Sequence, residues 1–146
     1  MLQGAMTTPD SLIREVLTRT RTIALVGFSA NPARPSNSVS RFLQSRGYRV
    51  IPVNPGLAGQ SHHGETVYAR LSEIPSGIQV DMVEVFRRSE EVAALVDEVL
   101  TAMPGVKTIW TQLGVRDDTA AAKARDAGLT VIQNRCPAIE IPRLIG

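Results

Sequence analysis

Short, mainly apolar runs alternate along this chain with longer stretches whose apolar residues recur every three or four positions. The runs Ile23 to Gly27, Tyr48 to Val53, Val80 to Phe86, Val106 to Thr111 and Leu129 to Gln133 predict strands. Pro52 suits an outer strand better than a central one. Helical spacing begins after Thr8 and Pro9, read as an N-cap and a first helical residue, with Leu12, Ile13, Val16 and Leu17 on one face. Ser36 is expected to cap a second helix, whose apolar face is Val39, Phe42 and Leu43 and whose stop is Gly47. Ser89 to Met103 puts Val92, Leu95, Val96, Val99 and Met103 on one side, with Glu90 and Glu91 in the favourable first turn. Asp118 to Ala127 is an Ala-rich helix closed by Gly128, and a short extended piece is expected at Val67 to Tyr68.

Strands alternating with helices imply an α/β fold: a three-layer, Rossmann-like, doubly wound parallel sheet of about five strands. The expected order is 3-2-1-4-5. Ligands then sit beyond the carboxyl ends of the strands, where the winding reverses. That order puts the reversal between the strand ending at Gly27 and the strand ending near Thr111. One domain is expected over residues 1–146, with residues 1–8 a flexible N-terminus.

Composition narrows the partners. A net charge of +2 with no Lys/Arg-rich run is no nucleic-acid footprint. No apolar stretch is long enough to span a membrane, and no signal peptide is visible at the N-terminus. The single cysteine, Cys136, excludes an internal disulfide and suits a reducing compartment, so a cytoplasmic protein is the expectation. A protein partner is compatible with the sequence but not identified by it.

The chemistry concentrates after the first strand, in GFSANPARPSNSV. A strand, a glycine and a polar turn ahead of a helix make an anion-binding arrangement, because the helix start offers unpaired N–H groups and a positive dipole end. Gly27 permits the tight turn, Ser29 and Ser36 add hydroxyls, and Arg34 adds a charge able to grip a phosphate. The further glycines of a dinucleotide fingerprint are missing. The second strand ends in Val53-Asn54-Pro55, without the Asp or Glu that NAD wants for its ribose. A strand–helix connection that binds nothing stays open on residues alone.

Five segments in register, GFSANPARPSNSV, YRVIPVNP, VDMVEVFRR, IWTQLG and NRCPAIEIP, resemble the small stand-alone coenzyme A-binding proteins. That family shares a Rossmann-like domain with the N-terminal part of the succinyl-CoA synthetase α subunit. The resemblance implies a bound coenzyme A or acyl-CoA, with Gly27, Phe28, Ser29, Ala30, Arg34 and Ser36 facing its phosphates. It implies Val53, Asn54 and Pro55 along the nucleotide, and Val85, Phe86, Arg87 and Arg88 closing over it. Gln112 is a further candidate hydrogen-bonding residue at the end of the fourth strand. The role implied is a carrier, sensor or regulatory module without catalysis of its own. The alternatives are an NAD(P)-binding enzyme, an acyl-CoA ligase component needing a partner chain, and an interaction module that lost its ligand.

No catalytic or metal-binding set is expected. Asp81 and Glu84 lie three apart on a strand and so face opposite sides. His62 and His63 read as an exposed loop pair, and Trp110 as core. Cys136 reads as a partly buried thiol near the pocket, with exchange against the CoA thiol as the sharper alternative.

Overall fold

The computed structural model describes residues 8–146, so expectations for residues 1–7 lie outside the described part. Helix α1 (Asp10–Arg19) leads into strand β1 (Thr22–Val26), helix α2 (Pro35–Ser45) and strand β2 (Arg49–Val53). A small hairpin follows, β3 (Ser61–His62) and β4 (Glu65–Thr66). The rest of the chain is β5 (Met82–Val85), α3 (Val92–Ala102), β6 (Thr108–Thr111), α4 (Asp118–Asp126), β7 (Thr130–Ile132) and α5 (Pro137–Leu144).

The five long strands form one parallel sheet in the order β2-β1-β5-β6-β7, with helices on both faces. The doubly wound Rossmann-like fold is therefore the one formed. Counted among these five strands, however, the order is 2-1-3-4-5 rather than 3-2-1-4-5. The outer place beside β2 belongs to Tyr68, which makes an isolated parallel bridge to Val53. Its N–H donates to the Pro52 carbonyl at 3.1 Å, and its own carbonyl accepts from the Asn54 N–H at 2.9 Å. This one bridged position displaces β5 to the other side of β1, with Ile23 opposite Met82 and Val26 opposite Val85. The winding thus reverses between β1 and β5, and not between β1 and the strand ending near Thr111.

Alternation along each strand sorts the core into two layers. Ala24, Val26, Ile51, Val83, Val85, Ile109 and Val131 pack against α3 and α4 through Val92, Val96, Ala121 and Ala124. Ile23, Leu25, Val50, Met82, Trp110 and Ile132 pack against α1, α2 and α5 through Ile13, Val16, Leu43 and Ile141. Trp110 is fully buried and donates its indole N–H to the Arg135 carbonyl at 2.8 Å. Glu84, on the Met82 face between Leu25 and Trp110, is fully buried as well.

Helix starts differ slightly from expectation. Pro9, not Thr8, holds the N-cap position of α1. Arg34 is the N-cap of α2 and Pro35 its first residue, so Ser36 lies inside the first turn. Asp117 caps α4, accepting from the Ala120 N–H at 3.0 Å. The sequence reading missed α5, whose Pro137 and Pro142 disguise it.

Candidate functional site

The carboxyl ends of β1, β2, β5 and β6 surround an open crevice of about 1030 Å³. Its floor is stitched from backbone. The N–H groups of Gly27 and Phe28 both donate to the Val53 carbonyl, at 3.0 and 3.3 Å. The Phe86 N–H donates to Val26 at 2.8 Å, and the Gln112 N–H donates to Val85 at 3.1 Å. Gly27 has φ +90°, and a Cβ there would stand 2.1 Å from the Phe86 carbonyl oxygen. Glycine is required both for the turn and for the close approach of β5.

The loop between Gly27 and α2 is shaped by its own side chains. Ser29 Oγ accepts from the Asn31 N–H at 3.1 Å, and Asn31 Oδ1 accepts from the Ala33 N–H at 3.0 Å. Asn37, buried in the first turn of α2, donates its amide to the Ser29 carbonyl at 2.8 Å. Asn54 Nδ2 donates to the Phe28 carbonyl at 2.7 Å while its Oδ1 accepts from the Gly56 N–H at 2.8 Å. Asn54 therefore braces the turn, and its amide is already committed inside the protein.

The crevice has a basic rim and a neutral one. The basic rim is Arg34, Arg87 and Arg88. Among the described residues Arg34 makes no ion pair, whereas Arg87 and Arg88 are both held by Glu91, which lies in the same crevice. The Arg87 hydrogen bond holds the Glu91 carboxyl below the ordinary carboxylate range, with Arg88 adding to it. The neutral rim is Gln112, Leu113, Gly114 and Val115, partly apolar. Leu113 is 52% exposed there. Gln112 Oε1 is buried without a hydrogen-bond partner.

The sequence-derived candidates divide accordingly. Gly27, Phe28, Ser29, Arg34, Ser36, Asn54, Phe86, Arg87, Arg88 and Gln112 all line the crevice. Ala30, Val53, Pro55 and Val85 do not. Ala30 is exposed on the loop, Val53 and Val85 are core residues that contribute only carbonyls, and Pro55 opens a 3₁₀ turn at Pro55–Leu57. Pro35, Glu91 and the stretch Leu113 to Val115 were missed. The signal for the last was topological: the loop after the strand next to a reversal borders the crevice.

Three further expectations are refined. His62 and His63 are half-buried, and their rings pack on Phe28 at centroid distances of 5.6 and 5.3 Å. Asp81 stitches the sheet, its Oδ2 accepting from the Arg21 and Thr22 N–H groups at 3.0 and 2.9 Å. Cys136 is buried at the N-cap of α5 and is not part of the crevice wall. Burial, with Cys136 adding, pushes the Glu84 carboxyl well above the ordinary range, and neither of its oxygens has a hydrogen-bond partner. Among the described residues no cluster of His, Cys, Asp and Glu fits a metal ion, and no helix is long and apolar enough to cross a membrane.

The CoA binding domain family matches residues 21–142. The YneT protein of Bacillus subtilis (strain 168) is 38% identical over 124 residues, covering 85% of this chain and 87% of that protein. A hypothetical protein from Pyrococcus horikoshii OT3 superposes with a TM-score of 0.86 at 35% identity, over 95% of this chain and 94% of the other. A dinucleotide-forming acetyl-coenzyme A synthetase from Ca. Korarchaeum cryptofilum, in complex with phosphate and ADP, superposes with a TM-score of 0.64 at 24% identity. That match spans 84% of this chain and 27% of the synthetase, and shows the fold alone.

Proposed function

The chain belongs to the CoA-binding domain family, and from that premise we propose that it binds coenzyme A or an acyl-CoA in the crevice between β1 and β5, as a non-catalytic carrier, sensor or regulatory module. The observation that carries this reading is the pairing of two unlike rims in one crevice. Coenzyme A is itself bipolar, with a pyrophosphate and a 3′-phosphate at one end and an amide-bearing pantetheine arm at the other. The pyrophosphate fits the Gly27–Ser36 turn, where the unpaired Arg34 guanidinium stands at the start of α2. Arg87 and Arg88 lie across the turn for a second phosphate. The pantetheine arm fits the neutral rim, where an amide N–H meets the orphan oxygen of Gln112 and the methylenes meet Leu113 and Val115.

NAD is the poorer fit. The position that would receive the ribose hydroxyls holds Asn54, a neutral amide bracing Phe28 and Gly56, where NAD wants a carboxylate. Calorimetric titration with CoA, 3′-dephospho-CoA and NAD⁺ tests the proposal. Saturable CoA binding that weakens without the 3′-phosphate is expected. Binding of NAD⁺ but not CoA would overturn it.

A further inference from the structure

A carboxylate inside an anion site calls for explanation. Glu91 Oε1 accepts from Arg87 Nε at 2.8 Å and stands 2.6 Å from Arg87 Nη2. Its other oxygen, Oε2, lies 3.5 Å from Arg88 Nε. One acid thus engages both arginines at the end of β5, each through a different oxygen. The stem of Arg87 passes over the phosphate turn itself, since its Cδ would lie 3.0 Å from a Cβ built on Gly27. The Arg87 guanidinium is therefore occupied by an internal anion, whereas Arg34 makes no ion pair among the described residues.

We propose that Glu91 is a specificity-determining residue: its carboxylate holds Arg87 where a ligand phosphate would, so an incoming anion gains Arg87 only by taking that place. The exchange breaks no covalent bond; one oxyanion replaces another on the same guanidinium. A weakly charged ligand meets Arg34 and the turn but finds Arg87 committed and a carboxylate nearby. A ligand with several phosphate charges holds Arg34 with one group and competes for Arg87 with the next. Bidentate arginine pairs favour phosphate oxygens in such a contest, because the ligand is already anchored and the exchange is local. The same acid also screens Arg87 and Arg88 from stray anions, which sharpens selection at the expense of affinity. A plain helix-start acid, the role its place before α3 suggests, would on removal raise anion binding equally with and without Arg87.

The assignment rests on the crevice being an anion site, and as specificity for CoA it rests on the function proposed above. Wild type, Glu91→Gln, Arg87→Gln and the double variant are titrated with inorganic pyrophosphate and with CoA at one pH and ionic strength, and melting curves verify folding. Glu91→Gln is expected to bind both anions about tenfold tighter, the scale of removing one like charge at contact distance from a partly screened site. In the Arg87→Gln background the same change is expected to give much less. Unchanged or weaker binding by Glu91→Gln overturns the assignment, as does an equal gain with Arg87 absent. A gain for pyrophosphate with no CoA binding by any variant overturns the CoA reading and leaves Glu91 assigned. Equal CoA binding by wild type and Glu91→Gln does the reverse.

Discussion

Replacing Glu84 by glutamine should change how stability responds to pH while leaving the fold intact. Glu84 is fully enclosed between Leu25 and Trp110 in the sheet, and its oxygens find no donor. A charge there is expensive, so burial raises the folded-state pKa well above its ordinary value. Once unfolded, the carboxyl loses its proton near pH 4.3. Above that pH the unfolded state binds one proton fewer than the native state. The stability contributed by the neutral carboxyl is thus complete below the unfolded pKa and lost as pH rises, at about 1.4 kcal/mol per pH unit while the native proton stays on. The loss continues until the native carboxyl itself ionises, so its extent reports how far burial has raised that pKa. Glutamine is neutral and nearly isosteric, and every other titrating group is common to both proteins. The difference in unfolding free energy between Glu84→Gln and wild type should therefore grow in the variant's favour as pH rises above the unfolded pKa, and level off once the native carboxyl ionises. Urea titrations followed by Trp110 fluorescence at several pH values measure it. Parallel stability curves would refute the reasoning, by showing that Glu84 ionises in the native protein at no unusual cost.

Gly27→Ala should destabilise by more than the roughly 1–2 kcal/mol of a left-handed backbone alone, because the new Cβ also meets the Phe86 carbonyl at 2.1 Å; chemical denaturation reads this directly. Arg34→Ala should weaken CoA binding by roughly 1–3 kcal/mol. Since Arg34 makes no ion pair among the described residues, its melting temperature should stay at the wild-type value, and a fall in melting with unchanged affinity would contradict the assignment. Asn54→Ala removes hydrogen bonds to Phe28 and Gly56 and should cost about 1–3 kcal/mol of stability, with the loop becoming faster in hydrogen exchange. Cys136, buried at the start of α5, should react with an aromatic disulfide reagent slowly in the native protein and promptly in denaturant. Fast native labelling would place it at the surface.

The layers were legible because the five strands of the main sheet read as short apolar runs and helices α1 to α4 as stripes between them. Sheet order was not: the extended piece expected at Val67 to Tyr68 is a single bridged position beside β2, too short to show that β5 lies on the other side of β1. Helix α5 was hidden by its prolines, one of which begins the helix and so does not break it. The turn at Gly27 and the arginines of the basic rim could be read from residue type. The engagement of Arg87 by Glu91 could not, since Glu91 already had an adequate explanation as an acid in a first helical turn. Glu84 had left a trace: an acid in a parallel strand covered on both faces has nowhere to go but inward.

The bridge at Tyr68 also bears on how the protein behaves in crowded solution. A sheet's outermost strand normally presents a ladder of free donors and acceptors on which another copy can zip. On β2 the outward carbonyl of Pro52 is already taken by Tyr68, and the ring removes the donor that would have stood beside it. The next donor, at Asn54, is satisfied by the same tyrosine. A stray strand arriving at this end of the border meets a proline and two filled bonds, so it finds no rung there.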